Sequence, residues 1–167
     1  MMALRSSSKW SLGLQRKERS IQHCYIHSIL LAKRFIYIEN QFFISSTTKD
    51  AESNSVVRNR VVKAIFCRIK KAVSARQKFK VVIFLPLLPA FQADLEKKQG
   101  KVMQVQLGLE NITIRSLYAK IKTLTEYPED YLMVCALRKF HEFKDPKKEP
   151  TTNLIYIHSK VEFADSS

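Results

Sequence analysis

At 167 residues with 46% hydrophobic content, the chain is long enough for one buried core and too apolar for a disordered segment. Its 29 Lys and Arg against 15 Asp and Glu give a formal charge of +14, which favours polyanionic partners, phospholipid headgroups or nucleic acid, without choosing between them. No apolar run approaches the roughly 20 residues needed to span a bilayer, so any membrane contact is expected to be peripheral, and Cys24, Cys67 and Cys135, lacking metal-ligand spacing, are expected to be buried thiols of a cytoplasmic protein.

Residues 1–17 read as an N-terminal extension, and 18–167 as one domain. From Glu18 to Lys33, Ile21, Tyr25, Ile29 and Ala32 recur at helical spacing and predict an amphipathic helix. Phe35-Ile36-Tyr37-Ile38 follows as a short buried strand, closed by the polar triplet Glu39-Asn40-Gln41. Burying that triplet without partners would cost several kcal/mol, so it is expected to line a polar site at the carboxyl edge of a sheet. After a polar loop from Thr47 to Ser55, the four-residue repeat Val57, Val61, Ile65, Ile69, Val73 predicts a helix of about five turns. Nine Lys or Arg and no acidic residue lie between Arg58 and Lys80, with Arg60, Lys63, Lys70 and Lys71 on one arc of that helix.

Val81 to Leu85 reads as a second strand, stopped by Pro86 and Pro89. Helical patterning returns through Val102 to Leu109 and again through Ile114 to Leu124, until Pro128 breaks it. Tyr131 to Leu137 reads as a third strand, Phe140 to Thr152 as a charged surface loop, and Leu154 to Ile157 as a fourth strand running into His158. Helices alternating with apolar strands predict an α/β layer around a mixed, mostly buried sheet.

Side chains two apart along a strand share a face, so His158 and Lys160 are expected to point the same way. That pairing suits a phosphate: a lysine gives fixed positive charge to phosphoryl oxygens, and a histidine can exchange a proton with the attacking or leaving oxygen. Asp165, seven residues after His158, could orient either side chain if the chain doubles back. His23 and His27 stand at i and i+4 on a helix without an obvious third ligand, so they read as ordinary helix residues, and no metal is expected.

The string from Tyr156 to Asp165 resembles the second H-x-K-x-x-x-x-D catalytic motif of the phospholipase D superfamily, and Ile36 to Phe43 resembles that family's IYIENQFF block. Leu85-Pro86-Leu87-Leu88-Pro89 also resembles eukaryotic phosphatidylcholine-hydrolysing members. The resemblance implies two half-domains facing each other across one site: one histidine attacks phosphorus, and the other protonates the leaving alcohol and later activates water. It implies His158 as that general acid/base, Lys160 as a phosphate ligand and Asp165 as a supporting carboxylate, with Glu39, Asn40 and Gln41 near the site.

No second such motif occurs here, since His23, His27 and His141 lack a lysine two residues on, and the chain ends before the family's Gly-Ser-x-x-Asn element. The implied unit is therefore one phospholipase D-like half-domain, truncated at its C-terminus, whose partner is a second half-domain from the same full-length chain or a homodimer. Glu162 replaces an aliphatic residue of the motif and is expected to share the strand face of His158 and Lys160, where it could pair with Lys160 and weaken anion binding. The basic residues Arg68, Lys70, Lys71, Arg76, Lys78 and Lys80 lie where the family carries a phosphoinositide-responsive segment, which implies a phospholipid membrane surface as partner and admits a phosphoinositide activator, with no other cofactor. The alternatives are a non-catalytic membrane-binding remnant and a nuclease, the second disfavoured by the lipid-enzyme blocks and the lack of an aromatic stacking platform for nucleic acid.

Overall fold

The computed structural model describes residues 3–47, 57–88, 100–141 and 151–165. A short ribbon comes first: β1 (Ser6–Ser7) pairs antiparallel with β2 (Glu18–Arg19), and between them the single turn α1 (Lys9–Leu12) ends at Gly13, whose φ of 66° is open to glycine. Arg5 fastens this ribbon to the next helix, since its backbone N–H donates to Ser20 Oγ and its guanidinium meets Glu18 at 2.6 Å.

The helix α2 (Ser20–Leu31) leads into β3 (Phe35–Asn40), α3 (Val61–Ser74) into β4 (Lys80–Phe84), and α4 (Lys101–Lys122) through a 3-10 turn at Pro128–Asp130 into β5 (Leu132–Cys135). Strands β3, β4 and β5 lie parallel, as helical crossovers require, with Ile36 beside Val81 and Val81 beside Leu132. The chain then makes an antiparallel hairpin, β6 (Leu137–His141) with β7 (Thr151–Ile155), before β8 (Lys160–Ala164) returns antiparallel along β3, giving the sheet order β5-β4-β3-β8.

The core lies on one face of this sheet. Ile36 and Ile38 of β3, Val81 and Ile83 of β4 and Leu132 of β5 are buried under Ile29 of α2, Val62, Ile65 and Ile69 of α3, and Leu117 and Ile121 of α4. Each such side chain contributes about 1.5–3 kcal/mol by leaving water. The opposite face carries Phe35, Met133, Val161 and Phe163, all exposed, with Phe35 stacked on Phe163 at 5.7 Å and Tyr37 tilted against Phe84 at 5.5 Å.

The α/β layering is the one that the alternation of patterns predicts, with four differences in detail. First, α3 starts at Val61 rather than Val57, because Asn59 Oδ1 accepts from the Val61 amide and Ser45 Oγ from that of Val62, so a cap stands where the apolar repeat alone reads on. Second, the two helical stretches after Gly100 are one helix, with Gly108 on an open side where a side chain would meet nothing. Third, the apolar run from Tyr131 to Leu137 divides at Ala136 as the chain leaves the sheet, and the ends of the expected loop from Phe140 to Thr152 are hairpin strands; residues 142–150 lie outside the described residues, as do most of the polar loop from Thr47 to Ser55 and Pro89.

The fourth difference concerns the site. Leu154 and Ile155 belong to the hairpin and are exposed, and the sheet's fourth strand is β8, which begins after His158. Glu162 interrupts the apolar alternation of β8, whereas the hydrophobic run before His158 is the stronger pattern but pairs only in a two-stranded ribbon. The cysteines also depart from expectation: all three are free, but Cys67 is exposed and Cys24 and Cys135 are only half-buried.

Candidate active site

The pairing of β8 with β3 sets the site. Asn40, the last residue of β3, lies opposite Lys160, the first of β8, and the Gln41 amide extends the ladder by donating to the Ser159 carbonyl at 3.1 Å. This brings the His158-Ser159-Lys160 segment over Glu39-Asn40-Gln41 at the carboxyl edge of β3 and β4. Ile157, 3% exposed, anchors the segment from below, and His158 and Lys160 are open to solvent.

Side-chain hydrogen bonds fix the segment from both sides. Lys160 Nζ donates to Gln41 Oε1 at 2.7 Å and to the His158 carbonyl at 2.8 Å, and Gln41 Nε2 donates to the Tyr156 hydroxyl at 2.5 Å. The Tyr156 ring stacks on the His158 imidazole, with centroids 5.8 Å apart. On the other side Glu39 accepts from Ser159 Oγ and, at 2.5 Å, from the Tyr37 hydroxyl. These donors, Ser159 first and then Tyr37, hold the Glu39 carboxyl below its ordinary range, and Glu39 in turn raises the Tyr37 phenol. An exposed ammonium two residues from an exposed imidazole suits phosphoryl oxygens, with the imidazole able to move a proton.

Asn40 and Asp165 lie elsewhere. The Asn40 side chain turns to the helix side, where Oδ1 is buried and accepts no hydrogen bond among the described residues. Asp165 stands at the far end of β8, about 16 Å of strand from Lys160. Its carboxylate accepts from the backbone amides of Lys33 at 3.1 Å, Arg34 at 2.9 Å and Phe35 at 3.0 Å, closing the turn from α2 into β3. Burial pushes this carboxyl up, but those amides outweigh it and hold it below the ordinary carboxylate range. Glu162, expected beside Lys160, faces Tyr25 instead. Tyr37, Tyr156 and Ser159 are the residues that sequence reasoning missed. Tyr37 is two before Glu39 on one strand face, a spacing that could have marked it, but nothing in the sequence shows that Tyr156 would meet Gln41.

The basic residues divide too. Lys70, Lys71, Arg76 and Lys78 are exposed, and Lys80, half-buried, donates to the Glu129 carbonyl. Arg68 is 3% exposed, donates to the carbonyls of Ala32 at 2.5 Å and Lys33 at 2.9 Å, and lies 3.9 Å over the Phe79 ring. Its guanidinium is thus committed to the fold. Arg76, at a φ of 49°, turns the chain out of α3, and with Lys33, Arg34, Lys78 and Lys80 it lines an open groove of about 1120 Å³ at the amino edge of the sheet, shared with Asp130. His23 and His27 are exposed on α2.

The phospholipase D sequence profile matches residues 10–163. The chain belongs to the phospholipase D family. It is 38% identical over 165 residues to a phospholipase D of Phytophthora infestans, covering 96% of this chain and 9% of that protein. It is 36% identical to phospholipase D1 of Saccharomyces cerevisiae over 166 residues, covering 97% of this chain and 10% of the yeast protein, and 36% identical to human phospholipase D1 over 169 residues, covering 98% and 15%. The chain thus spans 9 to 15% of the length of these relatives. Among the described residues no helix is long and apolar enough to cross a membrane.

Proposed function

We propose that this chain supplies the second-motif half of a phospholipase D active site, in which phosphatidylcholine is hydrolysed to phosphatidic acid and choline. The observation that carries the reading is the exposed His158-Ser159-Lys160 segment, held over the end of β3 by Gln41 and Glu39. Lys160 binds the non-bridging phosphoryl oxygens. A histidine of the other half-domain attacks phosphorus, the bond to choline oxygen breaks, and His158 gives that oxygen its proton. His158 then takes a proton from water, whose oxygen attacks phosphorus and displaces the first histidine.

The other half-domain comes from the same full-length polypeptide or from a second copy. The exposed aromatic and aliphatic side chains Phe35, Met133, Val161 and Phe163 support the need for further protein, because a largely parallel sheet is ordinarily covered on both faces. Lys70, Lys71, Arg76 and Lys78 would hold the enzyme to an anionic, phosphoinositide-bearing cytoplasmic membrane surface, each adding about 1 kcal/mol near it.

The experiment is choline release from phosphatidylcholine vesicles, with a primary alcohol present to trap phosphatidyl transfer, on the chain and on the full-length protein. His158→Ala is expected to lower turnover by about 10²–10⁴-fold. Equal turnover by wild type and His158→Ala would overturn the proposal. The second reading, a membrane-binding remnant without catalysis, is favoured by the basic groove at the opposite edge of the sheet. It predicts vesicle binding with no choline release from either protein.

A further inference from the structure

Glu162 stands where an aliphatic residue occupies the resembling motif, yet the fold does not place it in water. The register sets it opposite Ile38 and diagonal to Asn40, on the sheet face that α2 covers. Three side-chain polar atoms are buried there without a hydrogen bond among the described residues: Glu162 Oε1, Asn40 Oδ1 and the Tyr25 hydroxyl. They come from β8, β3 and α2, the three elements that meet behind the His158–Lys160 segment. Burial pushes the Glu162 carboxyl up to about 7. The Tyr25 phenol is raised by burial and then by the Glu162 charge, with the Asn40 side chain partly offsetting both.

Among the described residues, groups on α2, β3 and β8 stand around Glu162. Tyr25 reaches it from α2, Ile38 and Asn40 flank it from β3, and Lys160 on its own strand is turned to Gln41 and the His158 carbonyl. The inventory of donors then depends on one proton. Of these three atoms only the Tyr25 O–H donates when Glu162 is ionised, and it can serve the carboxylate or Asn40 Oδ1 but not both, the Asn40 Nδ2 group being unable to reach its own Oδ1; with Glu162 protonated a second O–H donates, and all three atoms can be paired. An unpaired acceptor in this position disturbs Asn40, which pairs with Lys160 and precedes Gln41.

We propose that Glu162 is a proton-dependent positioning residue for the His158–Lys160 pair: protonated, it joins Asn40 and Tyr25 and seats the start of β8 on β3, and ionised, it loosens that seat. The inference rests on the reading of His158 and Lys160 as a phosphoryl site, but its consequence is a movement of the chain and is observed without turnover.

The test is an amide NMR titration of the full 167-residue chain from pH 5.5 to 8.5. The amides of Gln41, Ser159 and Lys160 are expected to shift together with one midpoint near 7, in wild type and equally in His158→Ala, which carries no imidazole beside them. Glu162→Gln is expected to abolish the joint shift. Its persistence in Glu162→Gln, or titration of the Glu162 carboxyl with the Ser159 and Lys160 amides unmoved, overturns the proposal; the second result would make Glu162 merely a buried acid. Should Glu162→Gln fail to fold, Tyr25→Phe decides: losing the hydroxyl that can donate to the ionised carboxylate moves the midpoint upward, and an unchanged midpoint overturns the proposal. A chain inactive toward choline esters would leave these shifts in place, so failure of the activity and failure of this inference are told apart.

Discussion

The two ends of β8 use the same kinds of residue for different purposes. At its start, an exposed histidine and lysine are held by neutral and anionic side chains, Gln41, Tyr156, Ser159 and Glu39, and their reactive atoms face solvent. At its end, Asp165 is turned inward on backbone amides, and beside it Arg68 is turned inward on backbone carbonyls of the same turn, Ala32 and Lys33. The motif that runs from His158 to Asp165 therefore joins a segment open for chemistry to a clamp on the turn between α2 and β3. Charge does not mark function by itself; whether the charged group is turned inward onto the main chain or left open to solvent does.

Breaking each end in turn should separate the two. The largest expected effect is at the open end, where Lys160→Ala in the full-length enzyme is expected to reduce choline release by at least about a hundredfold, comparable to loss of one charge-stabilising donor, while leaving the thermal midpoint close to wild type. Next comes Arg68→Ala. It takes their guanidinium donors from the buried Ala32 carbonyl and the part-buried Lys33 carbonyl and exposes the Phe79 face, and is expected to cost about 3 kcal/mol in urea unfolding, with vesicle binding by the folded protein retained.

Asp165→Ala is expected to cost about 2 kcal/mol, toward the lower part of the range for charged hydrogen bonds because the carboxylate is partly solvated. Its pH dependence has a definite sign. The folded carboxyl lies below its unfolded value, so its contribution is complete above the unfolded pKa and fades as pH falls through the folded one; melts across the acid range should lose that limb in Asp165→Ala. A smaller effect is expected at the basic surface of α3 and the turn after it, where reversing Lys70, Lys71 and Lys78 to Glu should weaken co-sedimentation with anionic vesicles without altering the melt, because all three are exposed. Smallest is Ser159→Ala, which removes one hydrogen bond to Glu39 and should cost about 1 kcal/mol or less by the same unfolding measurement.

Most of the fold was legible because its strands and helices are periodic. The repeat Val61, Ile65, Ile69 lies against the sheet, and Ile36, Ile38, Val81 and Ile83 form its centre. What the patterns could not carry were partners distant in sequence. Leu154 to Ile157 is as apolar as any sheet strand, yet its β7 part pairs only with β6, and β8 was hidden by Glu162, a polar residue on a buried face. The same limit applies to the site: the position of Glu39-Asn40-Gln41 at a strand end marks a polar sheet edge, and the family resemblance sets it near His158 and Lys160, but the Tyr156–Gln41 and Ser159–Glu39 bonds span more than a hundred residues and have no local signature. Spacing alone allows Asp165 to orient His158 or Lys160, because it cannot tell a chain that doubles back from a strand that runs straight.

The division of the motif is tested most directly by thermal melts of His158→Ala and Asp165→Ala, prepared side by side with the wild-type chain at neutral pH. The account predicts a midpoint for His158→Ala within about 1 °C of wild type and a fall of about 4–8 °C for Asp165→Ala, since 1 kcal/mol corresponds to about 2–4 °C at this chain length. Equal falls in both variants, or an Asp165→Ala midpoint unchanged from wild type, would contradict it.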